Sequence, residues 1–92
     1  MKKSDLIDAV AAKARITNVK AEQLVNAIFD VMKETLVSGE RIELRGFGSF
    51  AVKHYDSYTG RNPKTGAAIE VAAKQLPVFR TSKELRERLL RP

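Results

Sequence analysis

A chain of 92 residues with no cysteine and 43% apolar residues makes one domain at most and excludes disulfides and thiolate metal sites; an ordinary reducing cytoplasm suits it. Its apolar stretches are too short to cross a bilayer, and Asp5 and Asp8 follow the opening Met1, Lys2, Lys3, Ser4, which argues against a signal peptide or membrane anchor. The net charge of +6 lies wholly in residues 41–92: the first forty residues carry six charges of each sign, the remainder eleven Lys and Arg against Glu43, Asp56, Glu70, Glu84 and Glu87. Such a surface suits a polyanion, although composition alone equally allows a basic surface that serves solubility.

Leu6, Ile7, Val10, Ala11 and Ala14 recur at helical spacing, predicting a short amphipathic helix with Ser4 or a residue just before it as N-cap. Thr17 or Asn18 caps a longer one. Its apolar positions (Ala21, Leu24, Val25, Ile28, Phe29, Val31, Met32, Leu36, Val37) form a stripe that ends before Gly39 and is too broad for one small neighbour. That breadth predicts packing against the first helix and against a second copy of the chain.

Beyond Gly39 the period becomes two. Arg41, Glu43 and Arg45 alternate with Ile42 and Leu44 as a half-buried strand, and Gly46, Phe47, Gly48 makes a turn. A second strand is expected from Ser49 to about Thr59, a tip from Gly60 to Gly66, and a third strand through Ile69 and Val71 to about Gln75. From Lys53 outward nothing builds a hydrophobic face. Eleven extended residues reach roughly 35 Å, against a radius of gyration of about 13 Å for a 100-residue domain. The segment 53–75 is therefore expected to project as an arm. Thr81 and Glu84 have capping-box spacing, and Leu85 and Leu89 supply the apolar face of a closing helix from about Ser82 to Leu90. Glu84 and Arg88 have the spacing of a stabilising i, i+4 pair.

The tip reads Gly60, Arg61, Asn62, Pro63, Lys64, Thr65, Gly66. Any hairpin could end in such turn formers. A proline between two cations on an unsupported arm is, however, the arrangement needed to enter a minor groove, unstack a base step and hold the flanking phosphates.

RIELRGFGSF (Arg41 to Phe50), GRNPKTG, and Pro77, Val78, Phe79 leading into KELRER (Lys83 to Arg88) together resemble the signatures of the HU/IHF family of bacterial histone-like proteins, over nearly the whole chain. The resemblance implies an α+β fold: an intertwined dimer, two N-terminal helices, a three-stranded antiparallel sheet with a long protruding β-arm, and a short C-terminal helix, all in a single domain over residues 1–92. It implies a nucleoid-associated, cytoplasmic protein that binds and bends double-stranded DNA as a homodimer or with a related subunit, without enzymatic activity or cofactor. Pro63 would intercalate, with Arg61, Asn62 and Lys64 as groove and backbone contacts. Lys53 would act at the arm base, and Arg80, Lys83, Arg86 and Lys3 would hold flanking DNA. Where HU arms carry basic residues this chain has Tyr55 and Tyr58, separated by Asp56 and Ser57. The two rings can stiffen the hairpin by cross-strand packing or meet the DNA directly. Glu43, Leu44, Arg45 is similar to the β subunit of IHF, where those positions help read sequence. This leaves an IHF-like preference as the alternative to largely sequence-independent binding, and a solvated strand face as the plain reading of Glu43 and Arg45.

Other chemistries find little support. His54 is the lone histidine and no HExxH is present; Ala51 stands where a dinucleotide fingerprint needs its third glycine; and Lys64 precedes Gly66, the reverse of a P-loop. As a major-groove recognition helix, the second helix is unsuited, because Glu22, Asp30 and Glu34 outweigh Lys20 and Lys33.

Overall fold

The computed structural model describes residues 1–91; Pro92, the last residue of the expected domain, lies outside the described residues. The elements run α1 (Lys3–Ala14), α2 (Asn18–Val37), β1 (Ile42–Leu44), β2 (Gly48–Tyr55), β3 (Tyr58–Arg61), β4 (Ala68–Val71), β5 (Lys74–Thr81) and α3 (Lys83–Leu90). This is the expected α+β arrangement.

Of the two expected N-caps of α1, it is a residue before Ser4 that serves. Lys2 is the N-cap, and its backbone N–H donates to the Asp5 carboxylate at 2.7 Å, so the acid three residues on closes the first turn. The chain reverses at Arg15, in left-handed conformation, and Thr17 caps α2 by accepting from the Lys20 N–H at 3.2 Å. A side-chain bond from Asn18 Nδ2 to Asp8 Oδ1, 2.6 Å, ties the start of α2 back to α1. Helices α1 and α2 pack together, and Ala11 of the first and Ala21 and Val25 of the second are the buried apolar residues among the described residues.

Strand β2 is the centre of a three-stranded antiparallel sheet of order β1-β2-β5, with Ile42 opposite Phe50 and Phe50 opposite Phe79. The third strand does not stop at Gln75 but, after a break, continues as β5 to Thr81. Pro77 lies within it, tolerated because β5 is an edge strand, where an absent N–H breaks no interior ladder. On one face the rings of Phe47, Phe50 and Phe79 cluster, with centroids 4.9 and 5.5 Å apart for the pairs sharing Phe79.

The expected continuous strand from Ser49 to Thr59 is likewise interrupted. Pairing stops after Tyr55 opposite Lys74 and resumes with Tyr58 opposite Val71 in the separate two-stranded sheet β3-β4. Two residues intervene on each side, Asp56 and Ser57 against Ala72 and Ala73, so the register resumes unshifted. Asp, Ser and Ala are weak strand formers, and no core compensates for that here. The result is elongated, with extents of 60 × 34 × 26 Å.

Helix α3 is capped by Ser82, which accepts from the Leu85 N–H at 3.1 Å, rather than by Thr81. Thr81 is still paired with Gly48 as the last residue of β5 and cannot serve as the cap. The expected Glu84–Arg88 ion pair is not formed. Glu84 turns instead toward the β1–β2 turn, its Oε2 3.1 Å from where a Cβ on Gly46 would stand, and the pair within the helix is Lys83–Glu87 at 4.0 Å. The Ser82 N–H donates to the Phe47 carbonyl, fixing the start of α3 on that turn.

Candidate nucleic-acid interface

At the far end of the arm the turn is narrower than its bounding glycines implied, because Gly60 still pairs with Ile69 in the ladder. The chain turns between Asn62 and Gly66. The Asn62 N–H donates to the Ala67 carbonyl at 2.9 Å, and the Gly66 N–H to the Asn62 carbonyl at 2.7 Å, with Gly66 at φ 70°. Asn62 Oδ1 accepts from the Lys64 N–H at 2.8 Å, an Asx turn that bridges Pro63. Pro63 is thus exposed on a braced loop, with the exposed side chains of Arg61 and Lys64 on either side. Asn62 is half-buried and its oxygen accepts within the turn, while its two amide N–H donors are not used there.

At the root of the arm, Lys53, Tyr55 and Lys74 come together. Tyr55 is directly opposite Lys74, and the ammonium groups of Lys53 and Lys74 lie 5.5 and 5.6 Å from the centroid of its ring. Lys74 was not singled out by the sequence. The signal was the register: counting from Phe50 opposite Phe79 would have placed it across from Tyr55, but that register required recognising β5. Tyr58 is 61% exposed and, among the described residues, has no cation over its ring.

On the body, Arg80 is opposite Ser49, and Ser49 opposite Glu43, in a row across the sheet. These three residues, with Arg41 and Arg45, line an open depression of about 630 Å³ at the sheet's end. Arg41, also not anticipated, is bound to Glu43 at 3.0 Å, with both side chains mostly exposed. Lys83 and Arg86 lie on α3, Lys83 loosely held by Glu87. Lys3 stands apart from the sheet cluster, in a small hollow at the foot of α1 where Lys2 and Lys33 rim an apolar floor of Leu6 and Phe29. The expected contacts therefore fall into separate places: a tip group, a root group, a body group with α3, and the α1 end.

Among the described residues, no cluster of three or more His, Cys, Asp or Glu could hold a metal ion, and no helix is long and apolar enough to cross a membrane.

The family of sequences described as "Bacterial DNA-binding protein" matches residues 1–90. Among solved structures, HU from Anabaena, crystallised with DNA, is 38% identical over the whole of both chains and superposes with a TM-score of 0.86. A point mutant of HU from Thermotoga maritima is 29% identical over 97% of this chain and 99% of that one, with a TM-score of 0.71. A mutant of transcription factor 1, at 24% identity over 98% of this chain and 91% of that one, shares the fold with a TM-score of 0.67.

Proposed function

The chain belongs to the bacterial DNA-binding protein family of HU and IHF, and from that membership we propose that it is an architectural protein that grips and bends double-stranded DNA as a dimer. The observation that carries this reading is the tip: an exposed proline on a turn braced by Asn62, flanked by Arg61 and Lys64, at the end of an arm with no core of its own. A rigid apolar wedge between cations can part a base step in the minor groove, while the flanking charges hold the backbone on either side. Lys53 and Lys74 at the root, and Arg80, Lys83 and Arg86 on the body, extend the path for bent DNA, with Lys3 further out. Anabaena HU, whose whole length this chain matches, was crystallised with DNA.

The apolar surface one copy leaves open supports the dimer. The chain exposes 8183 Å², whereas a compact monomer of its mass exposes about 5,400 Å². The arm accounts for part of the excess, but Leu24, Ile28 and Val31 on α2 are each more than half exposed. A second copy of this chain is the occupant that suits this face, since a stable interface takes about 800 Å² from each partner.

Binding is largely independent of sequence, favouring DNA already bent, nicked or easily kinked. Glu43, the acid of the IHF-like strand, pairs with Arg41 on an exposed strand face, which is the plain reading of these charges as solvated. The protein acts on the nucleoid, needing neither catalysis nor cofactor.

Duplex binding measured at two salt concentrations tests the reading. With about six to ten phosphate contacts, affinity falls on the order of a thousandfold or more between 50 and 200 mM salt. A flat response contradicts it.

A further inference from the structure

The arm's positive charge is divided. Between Lys53 and Lys74 the cations are Arg61 and Lys64 at the tip and the two bounding lysines at the root; the middle holds Asp56 and Glu70 instead. We propose that Tyr55 is a positioning residue that gathers Lys53 and Lys74 into a single phosphate-binding site at the root of the arm, an inference that rests on the duplex-binding reading above.

Three features support it. First, Lys53 is opposite Leu76 and Lys74 opposite Tyr55, so the two lysines are diagonal neighbours on one face of β2 and β5. Left to themselves, like charges at that spacing splay apart. Second, both ammonium groups lie within the range at which the negative face of an aromatic ring attracts a cation, 5.5 and 5.6 Å from the Tyr55 centroid. One ring thus holds two flexible side chains that would otherwise diverge. Third, neither lysine is consumed: the ion pairs among the described residues are Arg41–Glu43 and Lys83–Glu87, and neither involves the root. An anion between two mutually repelling ammonium groups relieves their repulsion as well as meeting their charge.

The site is in the right place for a phosphate of the same duplex. Strand alternation puts Lys53 and Tyr55 on the face of β2 that carries Ser49, and Lys74 on the face of β5 that carries Arg80, so the root and body cations share one side of the sheet. Tyr55 is also the less exposed tyrosine, 37% against 61% for Tyr58. Its ring faces its own lysines.

A cycle of variants tests this, read by fluorescence anisotropy on a short duplex at several salt concentrations. Tyr55→Phe, which keeps the ring, binds as the parent does. Tyr55→Leu, which keeps an apolar strand residue but loses the ring, weakens binding roughly two- to fivefold per arm. In a Lys53→Met, Lys74→Met background the same Tyr55→Leu change has no effect, since the ring has no cations to place. In the DNA-free protein, the ε-methylene protons of both lysines show upfield ring-current shifts that persist in the Phe variant and vanish in the Leu variant. An equal loss in both backgrounds would overturn the proposal, because the ring would then act on DNA directly or through hairpin shape. So would no loss in the parent background, or lysine signals without ring-current shifts. A parent protein that bound no duplex would overturn this inference and the duplex-binding reading together, whereas the preceding outcomes leave that reading standing.

Discussion

Gly48 shows how much of the sheet turns on a single missing side chain. It opens β2 opposite Thr81, and a Cβ there would collide with the backbone carbonyl of Arg80 and stand 2.6 Å from the Phe79 ring. Its φ is not in the positive range, so the constraint is space alone. Gly48→Ala must shift the β5 backbone at Arg80 and displace Phe79, and with it the ring contacts to Phe47 and Phe50. Overpacking of this kind costs about 1–3 kcal/mol. Each kcal/mol lowers the melting temperature of a domain this size by roughly 4–8 °C, measurable by thermal denaturation at fixed protein concentration. In the sequence Gly48 was legible only as part of a turn, because the ring that crowds it comes from a strand about thirty residues away. The family resemblance gave Asn62 as a DNA contact, and the turn-forming character of the tip is realised in its oxygen, which closes the turn beneath Pro63.

At the scale of elements, helices were the most legible because their period is local. The broad stripe of α2 resolves into two faces: Ala21 and Val25 are buried, while Leu24 and Ile28 remain more than half exposed. If that open face belongs to a second copy, Leu24→Asp or Ile28→Asp leaves unfolded chains rather than folded monomers. The helical circular dichroism signal should then be lost at micromolar concentration; a variant that stayed helical and sedimented as a monomer would contradict this. Strands were less legible. The polar and apolar alternation of residues 41–45 marked β1, but Pro77 disguised β5, since tolerance of proline depends on edge position, which a single strand's sequence does not carry. The interruption at Asp56, Ser57 and Ala72, Ala73 follows from weak strand propensity on both sides at once and becomes visible only when the pairing is known. The cap of α3 shifted by one residue for a related reason, Thr81 being held in the ladder.

The whole molecule combines a helical part of balanced charge with a strand-rich part that carries the entire net charge of +6. Its radius of gyration, 19.3 Å, exceeds the roughly 12 Å of a compact chain of this length. An extended shape with so few buried side chains is costly for a lone chain, which is what the proposed dimer on DNA would offset by covering α2. On this account the cations supply affinity and Pro63 supplies the bend, and removing the wedge should separate the two. The direct test is energy transfer between dyes at the two ends of a short duplex, saturated in turn with the parent protein and with Pro63→Ala. The parent should bring the ends closer, and the variant, still bound, should leave them measurably farther apart, since without the inserted side chain the base step stays stacked and the kink is lost. The same end-to-end distance in both complexes would contradict the account.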